Sequence, residues 1–228
     1  MEELVKDCIW INSAPLKYYG LNIGTKMTIV KLNDSNLFLH SPTKLTKELK
    51  NELDKIGKVR FLIAPNKLHH LHIKDYADIY NESKAFGVKE LKEKRKDIDF
   101  AGFLDTKPQL EWEKEIDQTV FEGSVFSNEV IFFHKDSKTL IVTDLLEQYD
   151  KNGHFKGLKE KIAAKFLGIY KTPALPIDEK LFILNKKLAK KAIEKILTWD
   201  FNKIIMAHGP LVKDNAKDVF YNAFRWLL

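Results

Sequence analysis

Two β-rich blocks, each followed by helical segments, constrain the fold of this chain more than any other feature. In the first block, Met27 to Leu32 and Asn36 to His40 are short apolar runs separated by NDS, a sequence typical of a hairpin turn. Leucines at helical spacing over Thr43 to Ile56 predict a helix, and Val59 to Ala64 predicts an apolar strand. The first block therefore predicts β-strands with a helical connection.

The second block repeats this order. Its three predicted strands are Glu115 to Phe121, Glu129 to Phe133 and Thr139 to Thr143, the last two joined as a hairpin. Two amphipathic helices follow, Leu158 to Ile169 and Asn185 to Leu197. The chain then forms one more predicted strand, Lys203 to Ala207, and a helix that ends at Leu228. No low-complexity linker separates the blocks. We therefore expect one α/β (α+β) domain over residues 1–228, built as a four-layer αββα sandwich.

Composition excludes several classes of protein. A chain of 228 residues with 44% hydrophobic residues can bury a core, and its single cysteine, Cys8, excludes an internal disulfide and a cysteine-rich metal site. No apolar run approaches the roughly 20 residues of a membrane-spanning helix, so we expect no membrane association. The acidic N-terminal sequence MEELVKDCIW does not resemble a signal peptide, which favours a cytoplasmic location.

The net charge of +6 comes from both signs mixed along the chain. The lysine-rich helix at Asn185 to Leu197 lacks arginine and interleaved aromatic residues, so we expect a solvated face and no nucleic-acid partner. The sequence specifies neither the oligomeric state nor the small-molecule substrate.

Side chains that can bind a metal ion follow three of the predicted strands. His69 and His70 come after Val59 to Ala64, Asp144 after Thr139 to Thr143, and His208 after Lys203 to Ala207; His72, His134 and His154 are assigned structural or surface roles. Strand ends present reacting groups on loops held by a rigid scaffold. Imidazole and carboxylate ligands suit zinc or iron, so the pattern predicts a metal site without cysteine.

Four segments of this chain resemble a known family. SPTKLT, APNKLHHLH, NEVIFFHKDSKTLIVTDL and MAHG look like an uncharacterised family of metallo-β-lactamase-like proteins, and the resemblance extends from about Met27 to the C-terminus. It implies the αββα sandwich of metallo-β-lactamase type. It implies no particular reaction, because the function of that narrower family is undefined.

The chain departs from the superfamily pattern at the metal ligands. Where the superfamily carries HxHxDH, Asn66 and Leu68 stand in place of the first two histidines, and the expected middle histidine is missing near Val125. The resemblance therefore implies a degenerate, mononuclear site. Either one zinc or iron ion is held by His70, Asp144 and His208 with help from His69, or no metal binds.

Two further residues are candidates for catalysis beside Asp144. Glu129 stands near the missing histidine and is predicted to be a substitute ligand or general base, while His40 occupies a strand-end loop beside the expected metal position. The leading hypothesis is a hydrolase in which one ion activates water against an ester, thioester or phosphoester, with Asp144 bridging or orienting that water. The alternatives are a non-catalytic binding or scaffolding protein that has lost the metals, and redox chemistry at a non-haem iron.

Overall fold

The strands of the protein form a seven-stranded sheet, a four-stranded sheet and a two-stranded ribbon. A computed structural model describes residues 1–126, 128–150, 152–153 and 156–228, so the predicted role of His154 lies outside the described residues. The strands are β1 (Glu2–Val5), β2 (Ile9–Ala14), β3 (Lys17–Tyr18), β4 (Leu21–Asn22), β5 (Thr25–Lys31), β6 (Asn36–His40), β7 (Lys58–Ala64), β8 (Lys84–Gly87), β9 (Phe100–Phe103), β10 (Ile116–Phe121), β11 (Glu129–His134), β12 (Thr139–Val142) and β13 (Lys203–Met206). The helices are α1 (Lys47–Ile56), α2 (Ile73–Ala77), α3 (Leu91–Lys94), α4 (Leu158–Phe166), α5 (Ile177–Leu181), α6 (Lys186–Thr198) and α7 (Ala216–Phe224).

The two large sheets have mixed strand directions. The first has the order β1-β2-β5-β6-β7-β8-β9, antiparallel from β1 to β6 and parallel from β6 to β9. The second has the order β10-β11-β12-β13, in which only β12 and β13 are parallel. Parallel neighbours end at the same edge of a sheet, so β6 and β7 finish together, as do β12 and β13.

Apolar side chains from the facing sheets form the central core. Phe38 of β6 packs edge-on against Phe132 of β11, with ring centroids 5.3 Å apart, and Trp112 contacts Phe38 in the same way. On the outer side of the first sheet, α1 contributes buried Leu49 and Leu53. On the outer side of the second sheet, α6 and α7 bury a separate apolar cluster. The layers are therefore helix, sheet, sheet and helix.

Most elements lie where the sequence predicts them: the ends of the β5–β6 hairpin, β7, the β11–β12 hairpin, α6 and β13 differ from the prediction by at most two residues. The predicted helix at Thr43 to Ile56 begins later, at Lys47, because the Thr46 hydroxyl accepts a hydrogen bond from the Leu49 N–H and caps the helix. The strands β1 to β4 and β9 are not among the predicted strands. In β1, half of EELV is charged, and β2 becomes polar after Ile11. In the described part of the chain, no helix is long and apolar enough to cross a bilayer.

Candidate metal centre

The candidate site lies where strand ends from both sheets meet. His69 and Asn66 follow β7, Asp144 follows β12, and His208 follows β13. The Val130 N–H at the start of β11 donates a hydrogen bond of 2.9 Å to the carbonyl of Pro65, which ties the second sheet to the loop after β7. The architecture therefore brings together residues that are more than 60 positions apart in the sequence.

Three ligand atoms converge at this point. Asp144 Oδ1 lies 3.1 Å from His69 Nε2 and 3.3 Å from His208 Nε2, and the two histidine nitrogens are 3.2 Å apart. Among the described residues, these three side chains form a group whose geometry could hold a metal ion. All three side chains are largely buried, with 14% exposure at Asp144 and less at the histidines.

The tautomer of His208 is fixed by the backbone. Its Nδ1 lies 2.6 Å from the carbonyl oxygen of Gly24, which can only accept, so Nδ1 carries the proton. If the ring is neutral, Nε2 then presents a lone pair toward Asp144 Oδ1. An ionised carboxylate oxygen can also only accept a hydrogen bond. Two lone pairs 3.3 Å apart repel each other unless a proton or a cation lies between them. Either a proton on His208 Nε2, which then donates to Asp144, or a cation between the two atoms removes this repulsion.

His69 is oriented by Ser41, the residue that follows β6. The Ser41 hydroxyl lies 2.6 Å from His69 Nδ1, on the side of the ring opposite Nε2. Ser41 is 4% exposed and adopts φ = 55°, a left-handed conformation that is costly for serine. Because Ser41 is buried, its hydroxyl can hold the imidazole in place, as outer groups do around metal-bound histidines.

The charges of the site stabilise one another. Burial raises the pKa of the Asp144 carboxyl, but His69 and His208 reverse this effect and hold that pKa well below its usual range. Burial lowers the pKa of His69, and the charge and hydrogen bond of Asp144 outweigh it, so the net shift of that pKa is upward. Asp144 is therefore ionised, as a metal ligand must be.

Asn66 links the two sides of the site. Its Oδ1 accepts the N–H groups of Leu68 and His69 at 2.8 and 2.9 Å, which shapes the turn that carries His69. Its Nδ2 donates to Asp144 Oδ2 at 2.7 Å and to the Thr143 hydroxyl at 2.9 Å. The Asn66 side chain thus orients a candidate ligand instead of being one.

Glu129 lies behind Asp144 and contacts the backbone. Its carboxylate accepts the N–H groups of Thr143, Asp144 and Leu145 at 2.5, 2.8 and 2.9 Å. Burial and the neighbouring Asp144 charge raise the pKa of Glu129 to about 7. In this arrangement Glu129 positions the loop that presents Asp144.

The structure brings His69, and not His70, to Asp144 and His208. Consecutive side chains in the turn point in different directions, and His70 Nδ1 instead accepts a hydrogen bond of 2.9 Å from Arg95. Burial and nearby Lys94 and Arg95 lower the pKa of His70 to about 4. Its Nε2 is buried without a hydrogen-bond partner among the described residues.

His40 lies next to the site but outside the ligand group. Its ring packs edge-on against Phe132, with centroids 5.4 Å apart. Its Nε2 is buried and has no hydrogen-bond partner in the described part of the chain. Burial and the nearby His69 lower the pKa of His40 to about 3, so the ring is neutral.

A small cavity borders Asp144. Its volume is about 20 Å³, which is room for about one water-sized molecule. Apolar walls come from Phe121, Leu145, Leu175 and Ile183, and carboxylates from Glu129, Asp144 and Glu179. Burial and the Asp144 charge raise the pKa of Glu179 to about 7. The space beside Asp144 is therefore narrow and acidic.

Several residues of this site were not assigned to it from the sequence. From the sequence, Asn66 is only a replacement for an expected histidine, and Ser41, Glu179 and the Gly24 carbonyl have no predicted role. Ser41 and Asn66 each stand within a few residues of a strand end, which is the signal that could have identified them. The sequence gives no such signal for the Gly24 carbonyl, because every residue has a backbone carbonyl whatever its side chain.

Solved structures of low sequence identity share this fold. A metallo-beta-lactamase from Pontibacter korlensis matches with a TM-score of 0.66 and 12% identity, over 99% of this chain and 97% of that one. A metallo beta lactamase from Hirschia baltica matches with a TM-score of 0.63 and 14% identity, over 98% and 95%. The metal-soaked Flv1 flavodiiron core from Synechocystis sp. PCC6803 matches with a TM-score of 0.65 and 10% identity, over 96% of this chain and 58% of that one. These similarities confirm the predicted αββα sandwich of metallo-β-lactamase type, and at such identities they show the fold alone.

Sequence similarity adds the family. No curated protein is a significant match to this sequence. Residues 6–154, more than half of the chain, match the family described as "Domain of unknown function (DUF4336)". Together with the fold, this match confirms the predicted resemblance to an uncharacterised family of metallo-β-lactamase-like proteins. The chain belongs to the DUF4336 family.

Proposed function

We propose that this protein is a metal-dependent hydrolase that holds one zinc or iron ion on His69, Asp144 and His208. The observation that carries the proposal is the convergence of two imidazole nitrogens and one carboxylate oxygen at separations of 3.1 to 3.3 Å. Zinc bonds of about 2.0–2.2 Å in tetrahedral geometry place neighbouring ligand atoms about 3.3–3.6 Å apart. The triangle is therefore nearly the size of one face of such a site.

The surrounding residues fit this role. Both histidines have their second ring nitrogen engaged, His208 by the Gly24 carbonyl and His69 by the Ser41 hydroxyl. Such outer contacts fix the tautomer and orientation of metal-binding histidines. A three-ligand set also leaves a position open, as catalytic zinc sites do.

The chemistry divides between the ion and the chain. The ion, when bound, supplies Lewis-acid polarisation of a substrate oxygen and lowers the pKa of water. Two residues hold Asp144 in place. Asn66 donates a hydrogen bond to the Asp144 carboxylate, and Glu129 accepts one from the Asp144 backbone N–H. The reaction we propose is hydrolysis of an ester, thioester or phosphoester, and the narrow cavity beside Asp144 favours a small group at the point of attack.

The first test is metal analysis of protein purified without added metal. We expect zinc or iron at about one ion per chain, and we expect Asp144→Asn and His208→Ala to lose it because each removes a ligand. His72→Ala is the matched control, since His72 is a partly exposed histidine paired with Asp75 at 2.8 Å. Hydrolysis of nitrophenyl acetate, an acyl thioester and a nitrophenyl phosphodiester is measured on the same samples.

The same measurements can also contradict the hydrolase proposal. If the wild type binds neither zinc nor iron on titration, and the two ligand variants behave like His72→Ala in every assay, the hydrolase proposal is wrong. The non-catalytic binding protein would then be the better interpretation.

A further inference from the structure

One face of α4 carries large apolar side chains in contact with solvent. Leu158, Ile162 and Phe166 are 73%, 60% and 85% exposed. They are four residues apart, so they lie along the same face of the helix. The opposite face, with Glu160 and Ala164, is buried against the protein. This helix therefore presents its apolar residues outward, the reverse of an ordinary surface helix.

The apolar surface continues onto α5. The Ile177 N–H donates a hydrogen bond of 3.0 Å to the carbonyl of Leu167, which places the start of α5 against the end of α4. Ile177 and Leu181, one helical turn apart, are 46% and 75% exposed. We call these five side chains the α4–α5 stripe: Leu158, Ile162, Phe166, Ile177 and Leu181.

Positive charges border the α4 part of the stripe on both sides. At about 100° per residue, Lys159 lies on one flank of the α4 apolar face, and Lys161 and Lys165 lie on the other. The one acidic residue of α4, Glu160, is turned inward, where it accepts hydrogen bonds from the backbone N–H and side-chain amide of Asn22. The exposed surface of α4 is thus an apolar ridge between lysines.

We propose that the α4–α5 stripe docks on an anionic lipid surface. Apolar side chains that protrude from a helix can enter the acyl boundary of a bilayer, while lysine stems lie along it and their ammonium groups reach the phosphates. A second copy of this chain fits less well, because two-fold pairing would bring the same flanking lysines face to face. The contact is peripheral and requires no spanning helix, but it departs from the expectation, drawn from the sequence, of no membrane association.

This surface adjoins the candidate metal centre through α5. Glu179 of α5 lines the cavity beside Asp144, while Ile177 and Leu181 of the same helix belong to the stripe. A docked bilayer would therefore lie next to the cavity. The docking proposal does not depend on the metal or on hydrolysis, and the two can fail separately.

The test is co-sedimentation of the full chain with vesicles of phosphatidylcholine alone, or of equal parts phosphatidylcholine and phosphatidylglycerol. We expect binding to the anionic vesicles that weakens as salt is raised, and little binding to phosphatidylcholine. Replacing Leu158, Ile162 and Phe166 together by serine should weaken binding about tenfold or more, because burial of these side chains is lost. Lys159→Glu with Lys165→Glu should weaken it by at least about tenfold.

Matched controls are available elsewhere on the surface. Leu110 is 81% exposed, so Leu110→Ser removes an equally exposed apolar side chain far along the sequence, and Lys92→Glu reverses an exposed charge. Thermal unfolding checks that every variant is folded. The proposal is overturned if the wild type prefers neither vesicle, or if the controls weaken binding as much as the stripe variants. A dimer in light scattering that the serine variant dissociates, without vesicle binding, would assign the surface to self-association instead.

Discussion

At the scale of single residues, the site depends most on Asn66. This fully buried amide uses Oδ1 for two backbone N–H groups of its own turn, while its Nδ2 contacts with Asp144 and Thr143 connect the end of β7 to the end of β12. A buried polar group with several partners is costly to remove, because those partners then lose their hydrogen bonds.

We therefore expect Asn66→Ala to lower the free energy of unfolding by about 2–3 kcal/mol and to weaken zinc binding about tenfold to a hundredfold. Urea unfolding and calorimetric zinc titration measure the two effects. Asn51→Ala, at an exposed asparagine of α1, is the control and should change neither. Unaltered zinc affinity in Asn66→Ala would show that the amide does not orient Asp144.

At the scale of elements, two tightly packed glycines can be compared, one beside the candidate metal centre and one far from it. Gly209 follows His208 with φ = 136°, and a Cβ there would lie 2.8 Å from the carbonyl oxygen of Gln148. Gly57 ends α1, far from the site, where a Cβ would lie 2.5 Å from the carbonyl oxygen of Ser35. Both positions exclude a methyl group, but only one adjoins a candidate ligand.

We expect Gly209→Ala and Gly57→Ala each to destabilise the protein by about 1–3 kcal/mol through steric overlap with backbone. Gly209→Ala should in addition weaken zinc binding, because the loop that holds His208 must shift. Zinc titration of both folded variants distinguishes them. Equal zinc affinity in the two would mean that the His208 loop tolerates the shift.

At the scale of the whole molecule, buried histidines make stability depend on pH. Burial lowers the pKa of His40 to about 3, and burial also lowers the pKa of His134. In the unfolded chain both titrate near pH 6.5, so below that pH the unfolded state binds more protons than the folded state. The contribution of these two histidines to stability is therefore fully present above pH 6.5 and is lost as the pH falls toward their folded pKa values.

The expected slope is up to about 1.4 kcal/mol per pH unit for each such histidine below pH 6.5. Urea unfolding measured at neutral and mildly acidic pH gives this slope. His40→Leu removes one titrating group and should reduce the slope by about that amount, whatever its effect on stability at neutral pH. A slope unchanged in His40→Leu would contradict the assignment.

The sequence determined the layer order and the loops of the site. Hydrophobic patterning of the two β blocks predicted β5 to β7 and β10 to β13, since alternation and apolar runs are local properties of the chain. The placement of His69, Asp144 and His208 after strand ends was also readable locally. The charged strand β1 could not be predicted in this way, because it forms through its pairing with β2, which is a tertiary contact.

Only the tertiary structure decided which neighbouring side chain enters the site. His69 and His70 are adjacent and chemically identical, and the direction of each is set by the turn that Asn66 caps and by Arg95, which lies 25 positions later. The same holds for Ser41, whose hydroxyl contacts His69 across two strands, and for the Gly24 carbonyl at His208. Sequence patterns fix the periodicity of an element, whereas contacts between distant strand ends depend on how the elements pack.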